Sequence, residues 1–323
     1  MRTWRQIGVF VGGHMVFLVP ICLVLGIFFP QPFLPLKPAV SPLFAFITFQ
    51  NSLGVSLPQV ARVFRHPGRM LLALAVSTLV APTAACLVAT ALFGPGDTVV
   101  GITLEYCVPI AVISTMWIGL FDGDLACGLA TLVVSTLLSP LTIPLMLQLL
   151  VGAQVSVDAA SMMQGMLLMI ALPALAGMLT NTLTRAWAAR ELSPTLAPAA
   201  RLLMLLIITT NSTSISDAMR HLTPALAATM AFVGVFSALC FVLGVVLAKT
   251  LRLPHDQAVT LAFDCGLRNI SAGAVIAGQY FSPGVMFPVM MGTLFQELLA
   301  TAFGNVVGWA FPAGEGEDPE ETA

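Results

Sequence analysis

Four ionisable side chains lie inside long apolar runs of this sequence, where a charge needs a partner. They are Glu105, Asp264, Arg268 and Glu297. A charge at the centre of a membrane helix costs about 2.5–3.5 kcal/mol on insertion scales, so such residues usually mark ion or substrate sites. Asp264 and Arg268 are four residues apart in the stretch FDCGLRN, which leaves a buried salt bridge as the alternative to a functional role. Glu105 lies in the outer third of its run, from which its carboxylate can reach the membrane interface.

Hydroxyl and amide side chains near these charges can supply the oxygen ligands that a hard cation such as sodium prefers. The candidates for ion coupling are Asp264, Ser114, Thr115, Ser135, Thr136 and Arg268. The candidates for substrate binding are Asn269, Thr115, Thr293, Gln296 and Glu297. A single Ser or Thr in a membrane helix more often bonds the carbonyl one turn back, so the argument depends on convergence of these groups at one place.

Other chemistries find little support in the sequence. Asp122 and Asp124 have the wrong spacing from Gly119 for the GxGD turn of an intramembrane aspartyl protease. The four histidines are scattered, and the six cysteines lie in apolar segments without a metal-binding spacing. No HExxH, P-loop or GxGxxG motif occurs. We therefore predict no enzyme, no cofactor apart from sodium as a coupling ion, no other metal and no nucleic-acid partner.

The elements that must position these residues are membrane-spanning helices. The chain has 323 residues, of which 58% are hydrophobic and 9% charged, with a mean hydropathy of +0.97. A soluble domain carries about 25% charged residues, so this chain belongs in a lipid bilayer. Lipid offers no water to an open backbone, so the apolar runs predict helices. The ten predicted spans lie near residues 8–29, 39–56, 69–93, 98–120, 124–151, 162–183, 199–217, 222–249, 256–280 and 284–310. We expect the first to be a retained helix, because it has no small-residue cleavage site of a signal peptide.

Basic residues are distributed unequally between the two sides that ten spans define. One side carries Arg2, Arg5, Arg62, Arg65, Arg69, Arg185, Arg190, Arg201, Lys249 and Arg252. The other carries only Lys37 and Arg220. Lys and Arg stay on the cytoplasmic side, so we predict an inner (cell) membrane protein with both termini in the cytoplasm. The acidic tail, residues 314–323, is predicted to be disordered.

Two parts of the chain, 69–151 and 222–310, each contain three predicted spans with an interrupted middle span. The interruptions are Ile113-Ser114-Thr115-Met116, followed by Gly119, and Gly266-Leu267-Arg268-Asn269, followed by Gly273 and Gly278. Five spans separate them, so the two parts should face opposite ways. Such a pair of polar, glycine-containing breaks is typical of inverted-repeat secondary transporters, whose broken helices cross near the bilayer midplane. There, free carbonyls can bind a cation and helix N-termini can hold an anion.

The interrupted spans resemble the bile acid:sodium symporter family. The similarity is carried by EYCVPIAVISTMW, LVVSTLLSPLTIPLM, FDCGLRNISAGAVIAGQYFSP and PVMMGTLFQELLA. It implies an all-α membrane protein of ten helices in two inverted five-helix repeats, with discontinuous fourth and ninth helices. It also implies one transporter domain over residues 1–313, in which a core (about 69–151 and 222–310) rocks against a panel (about 8–56 and 162–217). Its implied activity is sodium-coupled uptake of an organic anion.

Several sodium ligands that the resemblance implies are different in this chain. Ser114 matches, whereas Thr115 stands where the family has Asn and Asp264 is shorter than the usual Glu. Gly128 and Leu132 stand where two hydroxyls are expected, although Thr131 is adjacent.

Two further departures concern the second sodium site. Ser77 and Arg268 stand where the family has glutamines. A fixed guanidinium would repel a cation a few Å away, so we predict that Arg268 replaces the second sodium and that the first site is weakened or lost.

The sequence thus predicts a secondary active transporter of a small organic anion that works by alternating access and is coupled to a cation. One alternative is a sodium-independent relative that is proton-coupled through Asp264 and Glu297, or an exporter or exchanger. A second alternative is a membrane scaffold or receptor without transport. The sequence leaves the substrate, the coupling ion, the direction of transport and the oligomeric state open.

Overall fold

The computed structural model describes residues 2–63, 67–152 and 158–312, and the acidic tail lies outside the described residues. Regular structure in these ranges is helical, apart from one isolated backbone bridge, which confirms the predicted all-α class. The helices are α1 (Arg2–Gly13), α2 (Met15–Phe28), α3 (Val40–Ser52), α4 (Leu57–Val63), α5 (Gly68–Phe93), α6 (Asp97–Cys107), α7 (Ser114–Leu120), α8 (Leu125–Val151), α9 (Ala159–Leu183), α10 (Ala188–Arg220), α11 (Pro224–Thr250), α12 (His255–Gly266), α13 (Ile270–Tyr280) and α14 (Pro283–Ala310). A short 3-10 helix, Leu34–Ala39, precedes α3.

Six of the described helices are long and apolar enough to span a membrane: α5, α8, α9, α10, α11 and α14. The pair α1 and α2 would form a seventh span, although the two are bent by 85° relative to each other. The other predicted spans are the 13-residue helix α3 and two interrupted helices, α6 with α7 and α12 with α13. The chain is therefore a membrane protein of six or more spans, and the count of ten in two inverted repeats stays a prediction.

Local sequence signals explain where several helices begin. Asp124 precedes α8 and its carboxylate accepts a hydrogen bond from the Cys127 N–H at 3.0 Å. Thr223 caps α11 in the same way, and Pro224 occupies the first helical position, where no N–H is needed. Each cap satisfies one of the backbone N–H groups that the first turn of a helix leaves without an intrahelical partner.

Helix packing brings distant parts of the chain together. α10 packs against α1, α2 and α3, and α9 packs against α3 and α8. α12 packs chiefly against α11 and also contacts α14, while α6 packs against α5, α8 and α14. The interrupted helices are therefore surrounded by long continuous ones.

Each interruption has a local cause. The first break lies earlier than the predicted Ile113–Met116, because Val108 is extended after α6 and Pro109 has no N–H with which to continue a helix. Ser114, Thr115 and Met116 instead belong to α7. After α12, Leu267 is extended, with φ −99° and ψ 128°. Gly266 ends α12 where the Phe241 ring occupies the space that a Cβ would need. The second break is thus built around a glycine pressed against an aromatic ring.

We expect Gly266→Ala to destabilise the protein, because the new methyl group would overlap the fully buried Phe241 ring. Overpacking of this kind costs about 1–3 kcal/mol. The readout is the midpoint of thermal unfolding of the purified protein in detergent, which should fall by several degrees.

Gly119→Ala is the matched control, because no atom lies near its Cβ position. That change should leave the midpoint equal or slightly higher, since alanine favours helix. Adding Phe241→Leu to Gly266→Ala should recover part of the loss. A Gly266→Ala protein as stable as the wild type would show that the ring does not confine the break.

Candidate functional site

The two helix breaks meet and pair through their backbones. The Asn269 N–H donates to the Pro109 carbonyl at 2.8 Å, and the Ala111 N–H donates to the Leu267 carbonyl at 3.3 Å. Together these bonds form an antiparallel bridge between Ile110 and Arg268. Residues some 160 positions apart in the sequence therefore satisfy one another's backbone groups inside an apolar protein.

Asp264 lies one turn before the second break and is completely buried. Neither of its carboxyl oxygens has a hydrogen-bond partner among the described residues. The Thr131 hydroxyl on α8 lies close to this carboxyl and donates to the Cys127 carbonyl at 2.8 Å. Asp264 and Thr131 both line a cavity of about 110 Å³. An ionisable side chain without a partner inside a membrane protein is a candidate functional residue by default.

Arg268 is 3% exposed and sits in the second break. Its Nη2 donates to the Cys265 carbonyl at 3.1 Å, whereas Nε and Nη1 have no partner among the described residues. The alternative of an Asp264–Arg268 salt bridge is wrong in this structure, because neither described ion pair involves these residues. The reason is that α12 ends at Gly266, so the helical geometry that would bring positions four apart together is lost.

Glu105 is a more central residue than its sequence position indicated. It is 1% exposed, so its carboxylate is enclosed by the protein and does not extend freely from the helix towards the membrane interface. Its Oε1 occupies the space above Gly292 of α14, and its Oε2 has no hydrogen-bond partner in the described part of the chain. Glu105 and Asp264 both lie within electrostatic range of Arg268. The sequence signal was present, since Glu105 comes four residues before Pro109 of the first break.

The predicted ion-coupling hydroxyls have different roles. Ser114 is fully buried and its hydroxyl has no partner among the described residues, so it remains available as a ligand. Thr115 donates to the Val112 carbonyl at 2.9 Å. Ser135 accepts a hydrogen bond from the Ile110 N–H at 3.1 Å and so supports the first break. Thr136 is half-buried, and its carbonyl accepts a bond from Ser139. No described hydrogen bond joins any of these hydroxyls to Asp264.

The predicted substrate-binding residues lie on α14 and at the start of α13. Asn269 caps α13, accepting a hydrogen bond from the Ala272 N–H at 3.1 Å. The Gln296 amide donates to the Arg268 carbonyl and thereby ties α14 to the second break. Glu297 is half-buried near the Trp117 indole and forms no described ion pair with Arg268. Thr293 faces α10 across a narrow gap.

That gap contains a polar residue that the sequence analysis missed. A cavity of about 10 Å³ lies between α10, α13 and α14, and its polar lining residues are Asn211, Ser271 and Thr293. Asn211 is 6% exposed, and its Nδ2 has no partner among the described residues. The signal was the run TTNSTS at 209–214, which is unusually polar for a membrane span.

Long apolar helices and two interrupted helices paired around buried charges define an integral membrane protein with the features of a transporter. The chain belongs to the sodium bile acid symporter family, whose model matches residues 41–219. This confirms the resemblance noted in the sequence, and it makes the chain a member of a transporter family rather than an enzyme.

Relatives in bacteria and plants match most of the chain. It is 34% identical to the uncharacterized protein YbaS of Bacillus subtilis, over 91% of this chain and 96% of the relative. It is 24% identical to the uncharacterized sodium-dependent transporter YocS of the same organism, over 92% of each chain. It is also 24% identical to the probable sodium/metabolite cotransporter BASS3 of rice chloroplasts, over 83% of this chain and 64% of that protein.

Proposed function

We propose that this protein is a cation-coupled secondary transporter of a small organic anion in the cytoplasmic membrane, with both termini in the cytoplasm. The observation that carries the proposal is the unpaired Asp264 carboxyl beside two backbone-paired helix breaks. Such a carboxyl is costly to bury unless an ion binds it during part of the cycle. The names of two relatives, a sodium-dependent transporter and a sodium/metabolite cotransporter, favour sodium as the first ion to test.

The charges around the breaks support coupling to a single cation. Asp264 and Glu105 supply two carboxylates, and Arg268 supplies one guanidinium. With both acids ionised, the cluster holds one net negative charge in a low-dielectric surrounding, where an unbalanced charge is expensive. One sodium ion or one proton restores neutrality. Arg268 would then take the place of the second sodium ion, as expected for a residue that stands where the family has a glutamine of the second sodium site.

The substrate site is proposed to lie between α10 and the pair α13 and α14. Asn269, Thr293, Gln296, Glu297 and Thr115 remain its candidate residues, joined by Asn211. A gap of about 10 Å³ holds at most about one water molecule, so an organic anion can enter only if α10 separates from α13 and α14. Movement of the core against the panel would provide this separation, as alternating access requires.

A proton-coupled transporter or an exporter of the same superfamily is the second candidate, favoured by the replacement of several expected sodium ligands. In that reading Asp264 and Glu297 would carry the proton. A scaffold without transport would leave the unpaired buried charges without a purpose.

Sodium is expected to stabilise the purified protein in detergent, because a ligand that binds only the folded state raises its stability. At a concentration about 100 times the dissociation constant, this amounts to about 2.7 kcal/mol. The measurement is a thermal-shift screen of small carboxylates and sulfonates with sodium or with potassium, followed by uptake of each hit into proteoliposomes.

In that uptake assay, a sodium gradient and a pH gradient distinguish sodium coupling from proton coupling. Uptake driven by an inward sodium gradient at constant pH supports the proposal, whereas uptake driven only by a pH difference supports proton coupling. If no anion that binds is taken up under either gradient, the transporter proposal fails.

A further inference from the structure

A second cavity leads towards Asp264. It is separate from the gap at α10 and lies among the helices that surround the two breaks. The cavity of about 110 Å³ lies between the starts of α5, α8 and α12 and the loop that joins α11 to α12. Its polar lining residues are Arg69, Asp124, Thr131, Gln257, Thr260 and Asp264. No residue of α10, α13 or α14 lines it.

The lining residues form stripes that run inward from the helix ends. On α12, Gln257, Thr260 and Asp264 follow at helical spacing, so they lie on one face over about 10 Å. Asp124, which caps α8, is followed on that helix by Cys127 and Thr131 at the same spacing. Both stripes begin at the helix N-terminus and end at the buried Asp264 and Thr131. The lining therefore runs from partly exposed residues at the protein surface to the buried Asp264.

An ion pair lies at the surface end. Arg69 Nη1 and Asp124 Oδ2 are 3.6 Å apart, and their side chains are 44% and 29% exposed. Arg69 belongs to the set of basic residues that places this side in the cytoplasm. The lining holds two carboxylates against one guanidinium, so the passage carries a net negative charge that attracts cations.

We propose that this cavity is a cytoplasmic pathway by which the coupling cation, sodium or a proton, reaches or leaves Asp264 without passing through the substrate gap, with the Arg69–Asp124 pair at its entrance. The proposal rests on the proposed function, since it takes Asp264 as the cation-binding acid. It adds that ion and substrate use different routes on the cytoplasmic side. Opening of the substrate gap is then not required for ion exchange with the cytoplasm.

Cys127 is a natural probe of the pathway, because it lines the cavity halfway between Asp124 and Thr131 and is partly exposed. The experiment uses a variant in which Cys127 is the only cysteine and a membrane-impermeant, positively charged methanethiosulfonate reagent. Labelling is measured in inside-out and right-side-out vesicles. A variant that retains only Cys22, which is also partly exposed but lies within the first predicted span and does not line the cavity, is the control and should stay unlabelled.

We expect Cys127 to react from the cytoplasmic side and the attached group to block cation-driven uptake. If the coupling ion is sodium, a concentration about ten times its dissociation constant leaves about one-tenth of the sites empty. Labelling of Cys127 should then slow about tenfold. If the ion is a proton, lowering the pH should slow labelling of Cys127 more in protein that carries Asp264 than in Asp264→Asn protein. Asp264→Asn should remove either protection, and Arg69→Gln should speed labelling by widening the entrance.

Three results would overturn the pathway. They are absence of Cys127 labelling in transport-active protein, labelling from the outer side only, and labelling that leaves cation-driven uptake unchanged. Each is compatible with a cation-coupled transporter whose ion enters through the substrate gap. Failure of the proposed function has a different signature, namely wild-type protein that takes up no anion under either gradient.

Discussion

Asp264→Asn is expected to abolish cation-driven uptake while leaving the protein folded. A carboxylate and a monovalent cation about 4 Å apart attract by about 4 kcal/mol at an effective dielectric constant of about 20. Loss of most of this attraction should weaken cation binding at least about a hundredfold, since each 1.4 kcal/mol is a factor of about ten. The measurements are initial uptake rates against cation concentration and the cation-induced thermal shift, and both responses should be lost.

Folding should tolerate this change, because neither carboxyl oxygen of Asp264 has a described hydrogen-bond partner to lose. Asp264→Glu, which keeps the charge, should retain part of the activity. Asp256→Asn, at the first turn of the same helix and outside the cavity lining, is the matched control and should behave like the wild type. Normal cation-driven uptake by Asp264→Asn would refute the central role given to this residue.

Arg268→Gln is expected to change the number of coupled cations. Removal of the guanidinium leaves Asp264 and Glu105 as two buried carboxylates without a fixed positive charge. The site then needs two cations for neutrality, so the Hill coefficient for cation activation should rise from about one to about two. Uptake at low cation concentration should fall, because the second ion must now be bound from solution.

Two further variants test the charge argument directly. Arg268→Lys keeps the positive charge and should keep the coefficient near that of the wild type, although lysine cannot reproduce the guanidinium bond to the Cys265 carbonyl. Glu105→Gln added to Arg268→Gln returns the net charge to one negative and should restore activation by a single cation. A wild-type protein that already requires two cations, or a Gln variant that still uses one, would contradict the replacement of sodium by Arg268.

The sequence by itself determined the class of protein and the position of the second break, and it placed the first break a few residues too late. A charged fraction of 9% cannot cover a water-facing surface, and lipid leaves helices as the structure for the apolar runs. The second break was visible because Gly266 interrupts an apolar run beside polar side chains. The first was predicted from Ser114 and Thr115, whereas the extended Val108 and Pro109 end the helix before them. The importance of Asp264 and Arg268 followed from the cost of charge in lipid, which depends on residue type and not on neighbours. The resemblance to the bile acid:sodium symporter family was carried by the sequence around these interrupted spans.

Only the tertiary structure decided which groups meet. Pairing of the breaks joins positions 109–111 to 267–269, and no local propensity specifies a contact over that separation. Asp264 and Arg268 looked like an ion pair from their spacing, but the helix ends between them and separates their side chains. Glu105 is buried because Gly292 of α14 packs against its carboxylate. Asn211 faces the gap beside α13 and α14 because α10 packs next to these helices. Burial and partners depend on how helices from distant parts of the chain pack, and a single sequence records the helices but not their packing.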